Sequence, residues 1–299
     1  MGEAKTITVV GLGEILWDML PDGKQLGGAP ANFAYHANAL GAQGVVVSAI
    51  GRDQLGRDIY KRLGELGLSR SYIAIDPEHP TGTVDVKLDE KGVPQYTIHE
   101  NVAWDFITSS PELLELAPQV SAVCFGTLCQ RSEVSRETIQ EFLSQTGPDC
   151  LWVFDINLRK PYYDEDVVRA SLEAAHVLKL NLDELRIVAE MVGIEGSGED
   201  ELIARMLEQF PLRMIALTNG ESGSVLATPE ETSRHPGFEV EVCDTVGAGD
   251  AFTAALTIGL LKGLSLDNIN ICANRLASYV CTQKGATPAV PDEICRLVK

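Results

Sequence analysis

Residues 45–67 read VVVSAIGRDQLGRDIYKRLGELG. Val45 to Ile50 form an apolar run of strand length, and Asp53 then stands where a helix cap is expected. Leu55, Ile59, Leu63 and Leu66 fall on one helical stripe, and Gly67 stops it. A strand buried on both faces and followed at once by an amphipathic helix is the repeating unit of a parallel sheet covered by helices.

The unit recurs along the chain. Strands are expected at 6–12, 121–127, 151–155, 177–180 and 213–217, and helices at 164–176, 182–192 and 198–209. The expected fold class is α/β, in three layers, with a mostly parallel central sheet. In such a fold ligands lie beyond the C-terminal strand ends. Residues 81–99 break the pattern: Val84, Val86 and Leu88 alternate with Asp85 and Lys87, a turn is expected at 89–92, and alternation resumes through Tyr96 and Ile98. A two-stranded hairpin is marginal alone, so its apolar face must cover a cleft or another subunit. No linker or repeat interrupts the chain, and residues 1–299 read as a single domain carrying a small insertion.

Composition narrows the function. The chain has 24 Lys and Arg against 43 Asp and Glu, a net charge of −19, with no basic stripe for nucleic acid. An anionic ligand would need local devices such as metal ions, helix N-termini or a few placed cations. The seven cysteines contain no C-x-x-C pair, so neither a zinc site nor a disulfide framework is expected. No stretch reaches the ~18 apolar residues of a membrane helix, and the start MGEAKTITVVGLGEIL has no signal-peptide pattern, so a cytoplasmic protein is expected.

Gly11-Leu12-Gly13-Glu14-Ile15-Leu16 begins like a dinucleotide fingerprint, yet its third glycine position is Leu16, and Trp17, Asp18 and Pro21 follow where a helix should open. A stronger signal is Cys243–Phe252, CDTVGAGDAF. Gly247-Ala248-Gly249 turns the chain and bares its amides, and from Asp250 the spacing of Phe252, Leu256 and Leu260 is helical. A helix N-terminus attracts anions, and a transferring phosphoryl group is one. Asp250 at that edge can accept a proton from an attacking hydroxyl; the alternative is that it only caps the helix. Gly27-Gly28-Ala29-Pro30-Ala31-Asn32 sets a second glycine pair before a helix, with Asn32 on its first turn.

GGAPANFAYHANALGA, VVVSAIGRDQLG and DTVGAGDAF together resemble the two signatures of the ribokinase-like, PfkB-type carbohydrate kinases, and the resemblance runs essentially end to end. GEILWDMLPDG, HENVAWD, FDINLRKPYY and VCTQKGATPAVP are most similar to bacterial fructokinases. The resemblance implies ATP-dependent phosphorylation of a primary hydroxyl, fructose to fructose 6-phosphate, with ribose, 2-keto-3-deoxygluconate or nucleoside kinases and a non-catalytic sugar-responsive protein as alternatives. It implies Asp250 as base and an anion hole at Gly247, Ala248 and Gly249. Asp18, Gly28, Asn32 and Asn101 would meet the sugar, with His99 and Trp104 close by.

Arg159 is the candidate fixed cation near phosphate or sugar. Asn181 and Glu184 match the N-x-x-E motif that organises Mg²⁺ and phosphates through water, while Asn181 also reads as a helix cap. Thr218, Gly220 and Gly223 match the nucleotide loop, from which Asn219 departs, and Asn274 is expected at the adenine pocket or exposed on its helix. Asp244 matches the acidic ligand of a K⁺ ion, with Val246 giving its carbonyl. Segments about 16–28 and 81–102 would form a lid, through which a homodimer could pair. The partners implied are sugar and ATP, with no nucleic acid and no membrane.

Overall fold

The computed structural model describes residues 6–21, 23–88 and 94–298. Its strands are β1 (Thr8–Leu12), β2 (Leu16–Leu20), β3 (Gly23–Gly27), β4 (Gln43–Gly51), β5 (Ile73–Asp76), β6 (Gly82–Leu88), β7 (Pro94–Ile98), β8 (Ala122–Phe125), β9 (Leu151–Asp155), β10 (Val177–Asn181), β11 (Met214–Thr218), β12 (Ser224–Ala227) and β13 (Thr232–His235). The helices are α1 (Ala29–Ala39), α2 (Gln54–Glu65), α3 (Pro111–Leu116), α4 (Glu133–Ser144), α5 (Glu165–Ala174), α6 (Leu182–Met191), α7 (Glu199–Gln209), α8 (Ala248–Leu261), α9 (Leu266–Cys281) and α10 (Asp292–Cys295).

Nine strands form the central sheet in the order β13-β12-β11-β10-β9-β8-β1-β4-β5. Pairing is parallel from β11 to β5, and β12 and β13 add an antiparallel edge that the sequence pattern did not signal. From β1 the chain winds outward through β4 and β5, then returns to β8 on the other side of β1. The carboxyl ends of β1 and β8 therefore flank a topological switch point, where such sheets leave a crevice.

Successive strand residues face opposite layers. Val9, Ala122, Val153 and Val177 pack with α1, α8 and α9, while Val10, Val123, Phe154 and Leu178 pack with residues of α4 to α7. This is why these strands read as unbroken apolar runs. Asp53 caps α2 as expected, its Oδ1 accepting from Gly56 N at 2.7 Å. α8 is apolar all round, buried from Ala251 to Gly259 and packed between α1 and α9, so its position is fixed on every side.

Gly11 has a packing role instead of a dinucleotide role: a Cβ there would stand 2.1 Å from Pro30 O of α1. Beyond Leu12 the chain enters β2, not a helix. β2 and β3 join β6 and β7 in a second sheet, ordered β3-β2-β6-β7, with β2 parallel to β6. The expected ribbon is thus half of a four-stranded sheet, which meets the stability a lone hairpin lacks. Val84 and Ile98 are buried beneath it. Trp17 Nε1 donates to Leu55 O at 3.0 Å, and Lys24 pairs with Asp58, so α2 anchors the small sheet. The turn expected at 89–92, and the side chains of Val86, Leu88 and Tyr96, lie outside the described residues.

Candidate active site

α8 starts where it does because Gly247 turns the chain at φ 79°. Ala286 closes against it, so that a Cβ on residue 247 would lie 2.5 Å from Ala286 Cβ and 2.7 Å from its Cα. Only glycine fits the left-handed turn and the contact together. No side chain caps this helix. Among the described residues the amides of Gly247 and Gly249 have no main-chain acceptor, and that of Ala248 reaches Thr245 O at 3.3 Å. The turn therefore presents N–H groups toward the crevice.

Asp250 follows at the third position of α8, and Asn32 Nδ2 donates to its Oδ2 at 2.8 Å. Asn32 is 4% exposed, and its Oδ1 has no partner. α1 carries Asn32 there because Gly28, at φ 112°, lets the chain pass Glu14, whose carbonyl oxygen would lie 2.5 Å from a Cβ. His36, one turn further along α1, is buried and holds Ala286 O at 2.8 Å. Burial lowers its pKa to about 4, so it is neutral and its Nε2–H donates to that carbonyl. The α1 helix thus fixes both the Asp250 carboxylate and the segment that backs Gly247.

The crevice is dense in charge. Burial pushes Glu14 up to about 7, and Asp18 and Asp250 up to about 6. Asp155 raises Asp250 further, whereas the Asn32 hydrogen bond, Lys179 and Arg159 lower it. Arg159 acts on Glu14, Asp18 and Asp250 alike yet forms no ion pair within 4 Å among the described residues. Its guanidinium therefore acts on three carboxyl groups from beyond ion-pair distance and is not tied up in a surface ion pair among the described residues.

Asn181 and Glu184 form a capping box at the start of α6: Asn181 Oδ1 accepts from Glu184 N at 2.9 Å, and Glu184 Oε2 accepts from Asn181 N at 2.8 Å. Glu184 Oε1 also accepts from Leu158 N at 2.9 Å, which pins the loop that carries Arg159. Thr218 pairs with Asn181 across β10 and β11, and the Gly220–Gly223 turn follows, closed by Asn219 N donating to Gly223 O at 2.8 Å. Asp244 accepts from Val246 N and Gly285 N, each at 3.0 Å, so its carboxylate staples two loops behind the α8 mouth.

Four placements differ from expectation. Asn274 is buried and not exposed on its helix: its Nδ2 donates to Ser224 Oγ and Asn270 Oδ1 at 2.6 and 2.9 Å, and Ser224 lines a recess beside Asn219. Trp104 is fully buried under the Arg131 guanidinium, so its ring is core and does not close on a ligand. His99 points along the small sheet to Asp85 at 3.2 Å. Asn101, at φ 55°, lines a recess of about 550 Å³ with Arg131 and Tyr162, and Asp250 is not among the residues that line it. Glu14 and Lys179 were missed. A lysine inside the apolar run VLKL was the available signal, since such a residue stays buried only with a partner.

Among the described residues no cluster of three or more His, Cys, Asp or Glu side chains could cage a metal, and no helix is long and apolar enough to cross a membrane. A divalent ion here would fit only as one held largely by water and phosphate, which is how Mg²⁺ prefers to bind.

Comparisons with known proteins give the family and the fold. A family model described as pfkB family carbohydrate kinase matches residues 22–293. A fructokinase of Klebsiella pneumoniae is 30% identical over 301 residues, covering 94% of this chain and 95% of its own. An uncharacterized sugar kinase from Pyrococcus horikoshii, solved in complex with ATP, superposes with a TM-score of 0.81 at 28% identity, covering 98% of this chain and 100% of that one. A fructokinase double mutant from Vibrio cholerae O395, in fructose-, ADP- and potassium-bound form, gives a TM-score of 0.80 at 23% identity, with full coverage of both chains. That last likeness shows the shared fold.

Proposed function

From the premise that this chain belongs to the pfkB family of carbohydrate kinases, we propose that it transfers the terminal phosphoryl group of ATP to a primary hydroxyl of fructose, giving fructose 6-phosphate. The observation that carries the reading is the 2.8 Å bond from Asn32 to Asp250, which joins two glycine-rich signatures 218 residues apart at one helix mouth. Asn32 spends its amide nitrogen on the carboxylate and leaves Oδ1 free to accept from a sugar hydroxyl. A buried acceptor of that kind calls for a donor. Asp18, beside the same opening, offers a second acceptor.

In the proposed step the hydroxyl oxygen attacks the terminal phosphorus, the bond from that phosphorus to the bridging oxygen breaks to release ADP, and the hydroxyl proton passes to Asp250. The bare amides of the Gly247–Gly249 turn and the α8 dipole meet the charge on the phosphoryl oxygens, and Arg159 adds a cation. Mg²⁺ would neutralise the nucleotide phosphates, oriented through water by Glu184. Thr218, Gly220 and Gly223 would border the nucleotide. A K⁺ ion at Asp244 would act only through the loops that Asp244 already joins. The small sheet would exclude water, which competes with sugar for the phosphoryl group, and its outer face is where a homodimer would pair.

An ADP-release assay across fructose, ribose, 2-keto-3-deoxygluconate and adenosine tests the substrate. Fructose should give the highest kcat/KM, and turnover with another sugar alone reassigns it. Asp250→Asn should lower kcat by roughly 10²–10⁴ with ATP affinity nearly unchanged. Since no side chain caps α8, parental turnover in that variant would leave Asp250 a structural partner of Asn32 only.

A further inference from the structure

Lys179 lies on β10 at 8% exposure, flanked by the buried apolar residues Val177, Leu178 and Leu180. Its Nζ donates to Asp155 Oδ1 at 3.0 Å. The other oxygen of that carboxylate accepts from Thr253 Oγ1 at 2.7 Å, and the same hydroxyl stands 3.0 Å from Gly249 O. Lys179 Nζ is also 3.0 Å from the point a Cβ on Gly249 would occupy. A continuous set of contacts therefore runs from β10 through β9 into the opening turns of α8, and a Cβ at 249 would press on the ammonium. Desolvation opposes the Lys179 charge, but Asp155, Glu184 and Asp250 outweigh it and hold its pKa above the usual lysine value. A buried ion pair is weak evidence for stability, since apolar residues of the same volume often do as well.

We propose that Lys179 is a positioning residue of the transfer site: its ammonium, held by Asp155 behind Gly249, fixes the first turn of α8 and keeps the Asp250 carboxyl ionised in an acidic crevice. This rests on the sugar-kinase reading, in which Asp250 receives the proton. The groups facing Asp250 are Glu14 between β1 and β2, Asp155 at the end of β9, Arg159 beyond it, Lys179 on β10 and the Asn32 amide of α1. Cys124 on β8 also borders it, and burial holds that thiol neutral. With two neighbouring carboxyl groups and, among the described residues named as acting on it, the two cations Lys179 and Arg159, loss of Lys179 tips the balance toward the protonated acid.

The test is the pH profile of kcat/KM, whose acid limb reports the free enzyme's base. Lys179→Met should move that limb up by roughly one unit, a loss of roughly twofold at pH 7 that approaches tenfold below the parental limb and recovers in alkali. Asp155→Asn should move the limb the opposite way, and the Asp155→Asn/Lys179→Met pair should return it near the parent. A purely structural role would lower activity by one factor at every pH, so unmoved limbs, or limbs moving together, overturn the proposal. Should Lys179→Met fail to fold, Asp155→Asn and the double variant decide by the same criterion. A parent inactive on all sugars, or a fully active Asp250→Asn, would instead fault the kinase reading itself.

Discussion

In the proposed mechanism Asp250 would have two jobs that pull in opposite directions. To take a proton from a sugar hydroxyl it must be ionised, and to take it readily it must not be too weak a base. Burial beside Asp155 lifts it to about 6, while Asn32, Lys179 and Arg159 restrain the rise. In the proposed mechanism activity should therefore fall as pH drops through about 6. Asn32→Ala removes the hydrogen bond that favours the carboxylate, so the acid limb should move up and kcat/KM should drop roughly tenfold or more, the usual weight of a hydrogen bond to a charged group. Steady-state kinetics at several pH values reads both effects; an unchanged limb would take Asn32 out of contact with the base. Arg159, by contrast, was legible as a residue type but not as a position. Its place among Glu14, Asp18 and Asp250 depends on a loop that Glu184 holds from another strand end.

At the scale of elements, the site is two helix mouths brought together. α1 and α8 both begin at glycines with positive φ, Gly28 and Gly247, and both run beneath the same crevice. Gly247→Ala should lose about 1–2 kcal/mol from the left-handed conformation alone, and more from the contact with Ala286. Thermal unfolding should register the loss, and kcat should fall with it because the bare amides would tilt. A variant with parental Tm would mean that Ala286 yields, so that the turn is less constrained than its geometry implies. The N-x-x-E motif gives the same lesson from the other side. Its cap was readable from four residues, but the Glu184 bond to Leu158 N crosses from α6 to the loop after β9, and no local pattern signals it.

Across the whole molecule, the crevice carries a stability penalty. Glu14 is 4% exposed and lifted from 4.5 to about 7. A carboxyl group that binds its proton more tightly folded than unfolded adds stability that is complete below the unfolded value and disappears as pH rises through the folded one. Between about 4.5 and 7 the native state therefore loses what protonated Glu14 contributed, on the order of a few kcal/mol. Glu14→Gln should raise Tm at pH 8 and leave it nearly unchanged at pH 4.5. Calorimetry at the two values reads the difference, and an equal shift at both would assign the effect to packing. Asp53 and Asp76, held below the usual range by backbone amides despite partial burial, work in the other direction and lose their contribution as pH falls through their depressed pKa values.

The sequence by itself determined the α/β class, the parallel core strands, the caps of α2 and α6 and the two glycine turns, because each depends on residues close together along the chain. Apolar runs, helical stripes and backbone permissiveness are local properties. What only the tertiary structure decided is which groups share a neighbourhood: Asn32 with Asp250, Lys179 behind Gly249, His36 on Ala286, β2 beside β6 and Asn274 turned inward to Ser224. Those contacts depend on strand order around the switch point and on the close approach of α1 to α8. Long-range electrostatics and desolvation act through space, so the proton affinity of the site exists only once the chain has folded.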